Sequence, residues 1–241
     1  ELPEGLEQDI PFFPAEAKGL AGRAVSGQVL TAVAKNTPRL VGGAADLAPS
    51  TNTRLTFDEV GDFTAEHPSG RNLHFGVRER AMGSILNGLS LSKIRPHRLG
   101  FMIFSDYAWL AIGLSALMDL PTIAVFTHDS IGRGEDRPTR QPIEQPASLR
   151  AMPGLITLRP ANANEVAEAW RVNMQLKHEP VALILSRQAM LTFDRKTYAS
   201  ASGVGKGAYI SAGTVDGKPD ILLLAIGSEV ALCVQTYEQL T

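Results

Sequence analysis

Glu79 stands where a predicted helix begins, directly after the apolar strand end Phe75-Gly76-Val77. At this place an ionised carboxylate interacts favourably with the partial positive charge of the helix N-terminus. If the side chain is shielded from water instead, its neutral form is favoured and can donate a hydrogen bond. Glu79 is therefore either a charge that stabilises a helix end or a candidate for proton chemistry.

Three aromatic residues, Phe101, Phe104 and Tyr107, recur at intervals of three. On a segment that passes from strand to helix, they do not form a simple stripe, but they can line one rim of a pocket. Aromatic rings in such a pocket bind flat heterocycles by stacking. Core packing is the alternative, and it suits Tyr107 least because the hydroxyl needs a partner.

His128 follows a fully apolar run, and a loop dense in charge, glycine and proline extends over 129–146. A histidine there can act as a general acid or base, bind an anion, or serve structure alone. Loops of this length in compact domains tend to be functional. Arg133, Arg137 and Arg140 in the loop either bind a phosphate or remain solvated, as charge runs usually do.

Short apolar runs alternate with helical patterns along the chain, and these elements must position the residues above. The hydrophobic spacing predicts strands at 39–44, 72–77, 101–104, 122–126, 155–158 and 181–185. It predicts helices at 22–34, 79–91, 107–118 and 163–175, the last capped by Asn162. Such alternation is typical of an α/β fold, a mainly parallel sheet sandwiched by helices.

Ligands in parallel sheets bind beyond the carboxyl ends of the strands. The polar and charged segments of this sequence follow those ends. They are 46–50, 78–79, 105–107, 127–140 and 186–187. We therefore expect one site at this edge of the sheet.

Composition excludes several classes of protein. The chain has 23 basic and 25 acidic residues, which disfavours a general nucleic-acid surface. No apolar run approaches the roughly 18 residues that span a bilayer. The single Cys233 excludes an intrachain disulfide and a cysteine-based zinc site, which indicates a reducing compartment such as the cytoplasm. Motifs of triphosphate-binding loops, dinucleotide dehydrogenases, serine hydrolases and zinc proteases are absent from the sequence.

The glycine-rich segment 197–218 is predicted to be a linker that contains an edge strand at 208–211. A further strand at 221–225 and a helix follow it. One strand and one helix cannot bury a core of their own. We therefore expect the chain to be a fragment of a longer protein.

Several long segments resemble those of the transketolase family, in family order. They are GGAADLAPSTNTRL, HFGVRERAMGSILNGLSL, FSDYA, FTHDSIGRGEDRPTRQPIEQPASLRAMPGLITLRPANANEVAEAW, ALILSRQ and LLLAIGSEVALC. The resemblance implies a leader over 1–18, a thiamine-diphosphate-binding pyrimidine domain over 19–196, a linker over 197–218 and the start of a C-terminal domain over 219–241. The activity it implies is transfer of a two-carbon ketol unit between ketose and aldose phosphates.

The resemblance also implies roles for single residues. Glu79 matches the catalytic glutamate that hydrogen-bonds the aminopyrimidine ring of thiamine diphosphate. Phe101, Phe104 and Tyr107 match the aromatic pocket around that ring, and Asp46 matches a residue near the cofactor.

A second set of matches concerns the substrate. His128, with a catalytic role, and Asp136 match residues that contact the sugar. Arg23, Ser50, His128 and Arg187 match the group that holds the sugar phosphate. Arg187 would be the main clamp, because a guanidinium fork fits phosphate oxygens.

The chain departs from the family pattern near these residues. Arg80 and Arg140 stand where the family has histidines, and Arg137 stands where it has glycine. An imidazole titrates near neutrality, whereas a guanidinium does not release its proton. Arg80 would also place a fixed positive charge beside Glu79 and favour its ionised form. Three further differences lie in the helix 107–118, at Trp109, Leu110 and Gly113.

The family binds the cofactor's diphosphate and its divalent metal, Mg²⁺ or Ca²⁺, through a GDG-type motif in a separate N-terminal domain. This sequence has no such motif. The resemblance therefore implies a homodimer or a complementing diphosphate-binding domain, with sugar phosphates as substrates and no metal ligands in this chain. Alone, the chain is expected to be inactive.

Two alternatives remain open. One is a catalytically inactive binding or regulatory module, which Arg80 and Arg140 favour. The other is a related thiamine enzyme, such as 1-deoxyxylulose-5-phosphate synthase or a 2-oxoacid dehydrogenase beta chain, against which THDSIG and SRQ argue. The expected compartment is the cytoplasm, with a plastid as the alternative.

Overall fold

The chain alternates strands and helices in a computed structural model that describes residue 5 and residues 8–131, 138–213 and 217–241. The strands are β1 (Glu16–Ala21), β2 (Leu40–Ala44), β3 (Asn72–His74), β4 (Arg95–Phe101), β5 (Ile123–Thr127), β6 (Ile156–Leu158), β7 (Val181–Leu185) and β8 (Ala189–Thr192). The helices are α1 (Gly22–Asn36), α2 (Ala48–Thr51), α3 (Glu79–Leu91), α4 (Ser105–Leu117), α5 (Gln145–Arg150), α6 (Ala163–Gln175) and α7 (Val230–Leu240).

Six strands form one sheet in the order β3-β2-β4-β5-β7-β6, and every pair in it is parallel. This arrangement confirms the predicted α/β fold. The central strands β5 and β7 are buried along their whole length. Continuous apolar runs such as VALIL suit such strands, because helices cover both faces of a parallel sheet.

Alternate residues of β5 point into two separate cores. Ile123 and Val125 belong to the larger core, which includes Trp170 of α6 and Leu30 of α1. Phe126, together with Ala124, belongs to a second core with residues of α4 and α5. Helices therefore pack on both faces of the sheet, α1 and α6 on one face and α4 and α5 on the other.

The sequence predicted α3 and α6 with the bounds that the structure shows. The Asn162 side chain accepts a hydrogen bond from the Glu165 backbone N–H at 3.2 Å, which confirms the predicted cap of α6. The Glu165 carboxylate accepts in turn from the Ala161 backbone N–H at 2.9 Å. The first bond satisfies a donor that the first turn of a helix leaves without a partner, and the second fixes the chain just before the cap.

The strand predicted at 101–104 was wrong. The strand is β4, which ends at Phe101, and Met102–Phe104 form a turn of 3₁₀ helix. Local pattern missed β4 because it carries His97 and Arg98, which are polar yet buried. The strand predicted at 72–77 is also shorter, because Gly76 adopts a φ of 68° beyond its end.

The strands predicted at 208–211 and 221–225 are also absent from the described part of the chain. Ile221, Leu222 and Leu224 are exposed, although their apolar run suits a buried strand. A strand is stable only when it pairs with others, and pattern alone cannot supply the partner. Conversely, the antiparallel pair of β1 and β8 was not predicted.

Gly113 and Gly83 make a matched pair of helix glycines that predicts opposite effects on stability. A Cβ at Gly113 in α4 would lie 3.7 Å from the Met152 side chain, an ordinary contact. Gly113→Ala should therefore raise the free energy of unfolding by about 0.5–1 kcal/mol. A Cβ at Gly83 in α3 would lie 2.6 Å from the Cβ of Ala111. Gly83→Ala should lower the free energy of unfolding by about 1–3 kcal/mol.

Urea unfolding of the chain and the two variants measures both effects. A lower free energy of unfolding for Gly113→Ala would contradict the space seen at Gly113, and a higher one for Gly83→Ala would contradict the close contact seen at Gly83.

Candidate functional site

The candidate residues that the structure describes lie at the carboxyl edge of the parallel sheet, where the alternating pattern predicted a site. Phe101 ends β4, and its register partner Thr127 ends β5 directly before His128. Thr127 is paired in turn with Leu185, which ends β7 before Ser186. Neighbouring strand ends therefore bring His128 and the Ser186 region side by side.

Asp46 and His128 both adopt left-handed backbone at this edge, with φ of 57° and 63°. Few residues other than glycine do so, and a buried one must be held there by its surroundings. Asp46 is exposed, whereas His128 is buried. The chain therefore turns sharply where it leaves β2 and β5.

Glu79 opens α3 and is buried. It lines a cavity of about 550 Å³ together with Arg78, Arg80, Ala81, Ser84 and Tyr107. Glu79 thus lies in the first turn of the helix, where the helix dipole favours negative charge, and also borders an open space large enough for a ligand. Both interpretations of Glu79 are compatible with this position.

The predicted aromatic residues form one continuous row that leads to His128. Ring centroids of Phe104 and Tyr107 are 6.1 Å apart, and those of Phe101 and Phe104 are 5.8 Å apart. The Phe101 ring lies 4.1 Å from the His128 ring. Because Tyr107 also lines the cavity of Glu79, the row connects the carboxylate with the histidine.

The residues matched to the sugar phosphate lie at the same edge, beyond β7 and α1. An Arg23 guanidinium nitrogen donates to the Ser50 carbonyl oxygen at 2.5 Å. The Arg23 backbone N–H donates to the Ser186 carbonyl oxygen at 3.2 Å, so Arg23 also adjoins Arg187. Arg187 is half-buried. The backbones of Arg23 and Arg187 therefore lie close together at this part of the edge, and guanidinium groups there would suit an anionic ligand.

Asp129 forms a buried ion pair that the sequence analysis did not find. Its Oδ2 accepts from Arg159 Nε at 2.9 Å, and Arg159 also binds Glu229. Burial raises the pKa of Asp129, and the attraction of Arg159 offsets part of that effect. Burial alone would raise the pKa of Glu229, but hydrogen bonding to Arg159 lowers it. Arg159 lies 30 positions from Asp129 and 70 positions from Glu229 in the sequence, so no local pattern could reveal the network.

Arg80 and Arg140, the two arginines that the family resemblance sets against histidines, lie at the site. Arg80 lines the cavity of Glu79, and the Arg140 guanidinium carbon is 5.5 Å from the Phe101 ring centroid. Such stacking of a guanidinium on an aromatic face is favourable. The Trp109 indole donates to the Ser148 hydroxyl at 2.9 Å, and nothing in the structure explains Leu110.

The structure leaves some predicted site residues outside these groups. Asp136, together with Arg133 and Arg137, lies outside the described residues. Among the residues that are described, no group of three or more His, Cys, Asp or Glu could hold a metal ion. No described helix has the length and apolar character to cross a membrane.

Comparison with known proteins agrees with this geometry. Residues 18–191 match the family model described as transketolase, pyrimidine binding domain. The transketolase of Bacillus subtilis is 48% identical over 241 residues, which is 100% of this chain and 36% of that protein. A transketolase mutant structure from Pichia stipitis superposes with a TM-score of 0.92 at 36% identity, covering 100% of this chain and 36% of that chain.

A split gene transketolase, an inactive beta4 tetramer, superposes with a TM-score of 0.58 at 25% identity, covering 73% of this chain and 55% of that one. The chain thus spans about a third of the length of the Bacillus subtilis relative. From the family match and these similarities, the chain belongs to the transketolase family, of which it carries the pyrimidine-binding domain.

Proposed function

We propose that this chain supplies the pyrimidine and sugar half of a thiamine-diphosphate-dependent ketol-transfer site. The observation that carries the proposal is the row of rings from Tyr107 to His128, with buried Glu79 beside it. A flat aminopyrimidine needs an aromatic surface and a hydrogen-bonding carboxyl, and this arrangement offers both. The residues present therefore fit the cofactor.

When bound, thiamine diphosphate supplies a nucleophilic carbon that takes up and releases a two-carbon ketol unit. Glu79 would hydrogen-bond a pyrimidine nitrogen and move a proton at that atom. Phe101, Phe104 and Tyr107 would bind the ring and exclude water from it. Asp46, which follows β2 at the same edge, would lie near the cofactor.

The sugar phosphate would lie across the ends of β5 and β7. Arg23 and Arg187 would bind the phosphate, helped by Ser50. His128, which is buried and packs on Phe101, would bind the sugar and exchange a proton with it. Asp136 would also contact the sugar, a role that rests on the family resemblance alone.

A second chain or domain would complete the site. We assign the diphosphate and its Mg²⁺ or Ca²⁺ ion to that partner, either in a homodimer or in a complementing domain. The packed helices α3 and α4 support this assignment, because both begin at the cavity and both expose large apolar side chains. These are Ile85, Leu91, Leu110, Leu114 and Leu117. Apolar patches of this kind mark protein interfaces.

The proposed compartment is the cytoplasm, with a plastid as the alternative. Cys233 is the single cysteine of the chain, which accords with a reducing environment.

A catalytically inactive module is the second candidate. Arg80 lines the cavity of Glu79, and Arg140 stacks on Phe101. Neither guanidinium can exchange protons as a histidine does. Such a module would keep the fold and the partner surface and bind ligands without turnover.

Ketol transfer in a mixture with a separately expressed diphosphate-binding domain separates these candidates. The mixture contains thiamine diphosphate and magnesium, and each component alone is the control. Turnover of the mixture supports the first proposal. Activity that arises only after Arg80→His and Arg140→His supports an inactive module with a competent fold. No activity in either mixture would contradict the ketol-transfer proposal.

A further inference from the structure

His128 is held in a left-handed backbone conformation that few residues other than glycine adopt. It is buried with a φ of 63°. On one side its Nδ1 lies 2.9 Å from the Thr127 hydroxyl oxygen, and on another its ring packs on Phe101. A left-handed non-glycine residue persists only where the surrounding structure fixes it. The residues that fix its neighbours therefore set where the imidazole points.

The next residue along the chain, Asp129, is anchored by Arg159. Asp129 Oδ2 lies 2.9 Å from Arg159 Nε and 2.8 Å from Arg159 Nη2. The Asp129 side chain is only 1% exposed and that of Arg159 is 11% exposed. Charge-assisted bonds in such a buried place are strong and directional. The backbone that follows His128 is thus attached, through Asp129, to Arg159, the residue directly after β6.

Arg159 is held in turn by the beginning of the C-terminal segment 226–229. Its Nη1 donates to Glu229 Oε2 at 2.5 Å, and its Nη2 donates to Oε1 at 3.0 Å. The Gly227 backbone N–H donates to the Arg159 carbonyl oxygen at 3.1 Å. Gly227 has a φ of 59°, and a Cβ there would lie 2.7 Å from Arg159 Nε. The segment 226–229 therefore packs closely against the Arg159 side chain.

We propose that Arg159 and Glu229 are positioning residues for His128, so that docking of the C-terminal segment sets the geometry of the substrate site. The inference rests on the proposed function for the role of His128 in binding sugar. Its structural part is independent of that role: loss of Glu229 should release Arg159, then Asp129, and then the backbone of His128.

The helix α7 offers a matched control for this chain of contacts. Glu238, near its end, accepts a hydrogen bond from the Tyr198 hydroxyl at 2.5 Å. Glu229 and Glu238 thus both attach the C-terminal region to the domain. Only Glu229 binds the guanidinium that also holds Asp129.

NMR of the imidazole Hε1 signals in the full chain tests the structural part. The His128 signal is assigned from its loss in His128→Gln. We expect Glu229→Ala to shift or broaden the His128 signal more than those of the exposed His67 and His178. Glu229→Gln, which keeps an acceptor, should remain closer to the unsubstituted chain. Arg159→Lys should act like Glu229→Ala.

Glu238→Ala should leave the His128 signal in place. An unchanged His128 signal in both Glu229→Ala and Arg159→Lys would overturn the inference. An equal change in Glu238→Ala would overturn it too, because general loosening of the C-terminal region would then be the cause.

Kinetics of the mixture with the diphosphate-binding domain test the link to substrate. Glu229→Ala is expected to lower kcat/KM by roughly 10- to 100-fold, mainly through a higher KM for the ketose phosphate, because a displaced contact weakens positioning. Affinity for thiamine diphosphate should be unchanged. A loss of cofactor affinity instead would contradict the positioning role. If the unsubstituted mixture shows no ketol transfer, the proposed function fails, while the NMR result still decides the structural part.

Discussion

Glu79→Gln is expected to lower ketol transfer by about 10²- to 10⁴-fold in the mixture of this chain with a diphosphate-binding domain. Glu79 is buried and lines the cavity that the aromatic row adjoins, so its carboxyl would be within reach of a bound ring for proton exchange. The amide of glutamine keeps the size and can donate a hydrogen bond, but it cannot exchange that proton. Steady-state turnover with a ketose phosphate donor measures the effect, in the Arg80→His and Arg140→His background if only that background is active.

The fold should survive this substitution. Loss of an acidic group from the first turn of α3 is expected to cost about 0.3–1 kcal/mol. Glu66→Gln, an exposed carboxylate before β3, is the matched control and should leave turnover unchanged. A Glu79→Gln mixture that retains activity within about threefold would contradict the proposed role of Glu79 in general acid–base catalysis.

Arg159→Met is expected to lower the free energy of unfolding by about 3–5 kcal/mol at neutral pH. The substitution keeps an unbranched apolar side chain but leaves the Asp129 carboxylate buried without its counter-charge. Glu229 loses the same partner at lower cost, because its side chain is 46% exposed. Chemical denaturation of the chain and the variant measures the difference.

The loss should depend on pH in a defined direction. Burial raises the pKa of Asp129 above its unfolded value of about 3.9. A carboxyl with a raised pKa contributes stability below the unfolded pKa, and this contribution is lost as pH rises through the folded pKa. Without Arg159 the pKa of Asp129 rises further. The destabilisation should therefore be largest at neutral pH and shrink in acid.

The double variant Asp129→Asn with Arg159→Met is the control for packing. It removes both charges and should recover most of the lost stability, since an uncompensated buried charge is the main cost. A single variant that costs less than about 1 kcal/mol at neutral pH, or a double variant as unstable as the single one, would show that the ion pair does not stabilise this edge.

Long periodic segments made much of the fold predictable from sequence. The bounds of α3 and the capped start of α6 agree with the structure, and Met82 and Leu86 of the apolar stripe of α3 are buried, whereas Ile85 is exposed. The buried runs of β5 and β7 placed His128 and Arg187 at the carboxyl edge, because parallel strands end on the same side.

Other elements were missed where tertiary contacts outweigh local pattern. The polar sequence of β4 is buried between β2 and β5, and its neighbours rather than its composition make it a strand. The apolar run at Leu222 predicts a strand, yet no strand pairs with it in the described chain.

The candidate site, like the fold, was predictable from the sequence only in part. The aromatic spacing predicted a pocket rim, and the rings do form a row. The ion pair of Asp129 with Arg159 and its extension to Glu229 depend on residues distant in sequence, which spacing cannot bring together. The stacking of Arg140 on Phe101 likewise requires the folded loop.

Titration of thiamine diphosphate tests most directly whether this chain supplies the pyrimidine half of the cofactor site. Calorimetry with magnesium present would compare this chain, the separate diphosphate-binding domain and their equimolar mixture. The account predicts saturable binding in the mixture that is tighter than in either component and is weakened by Glu79→Gln. Binding by the diphosphate-binding domain that is unchanged when this chain is added would contradict it.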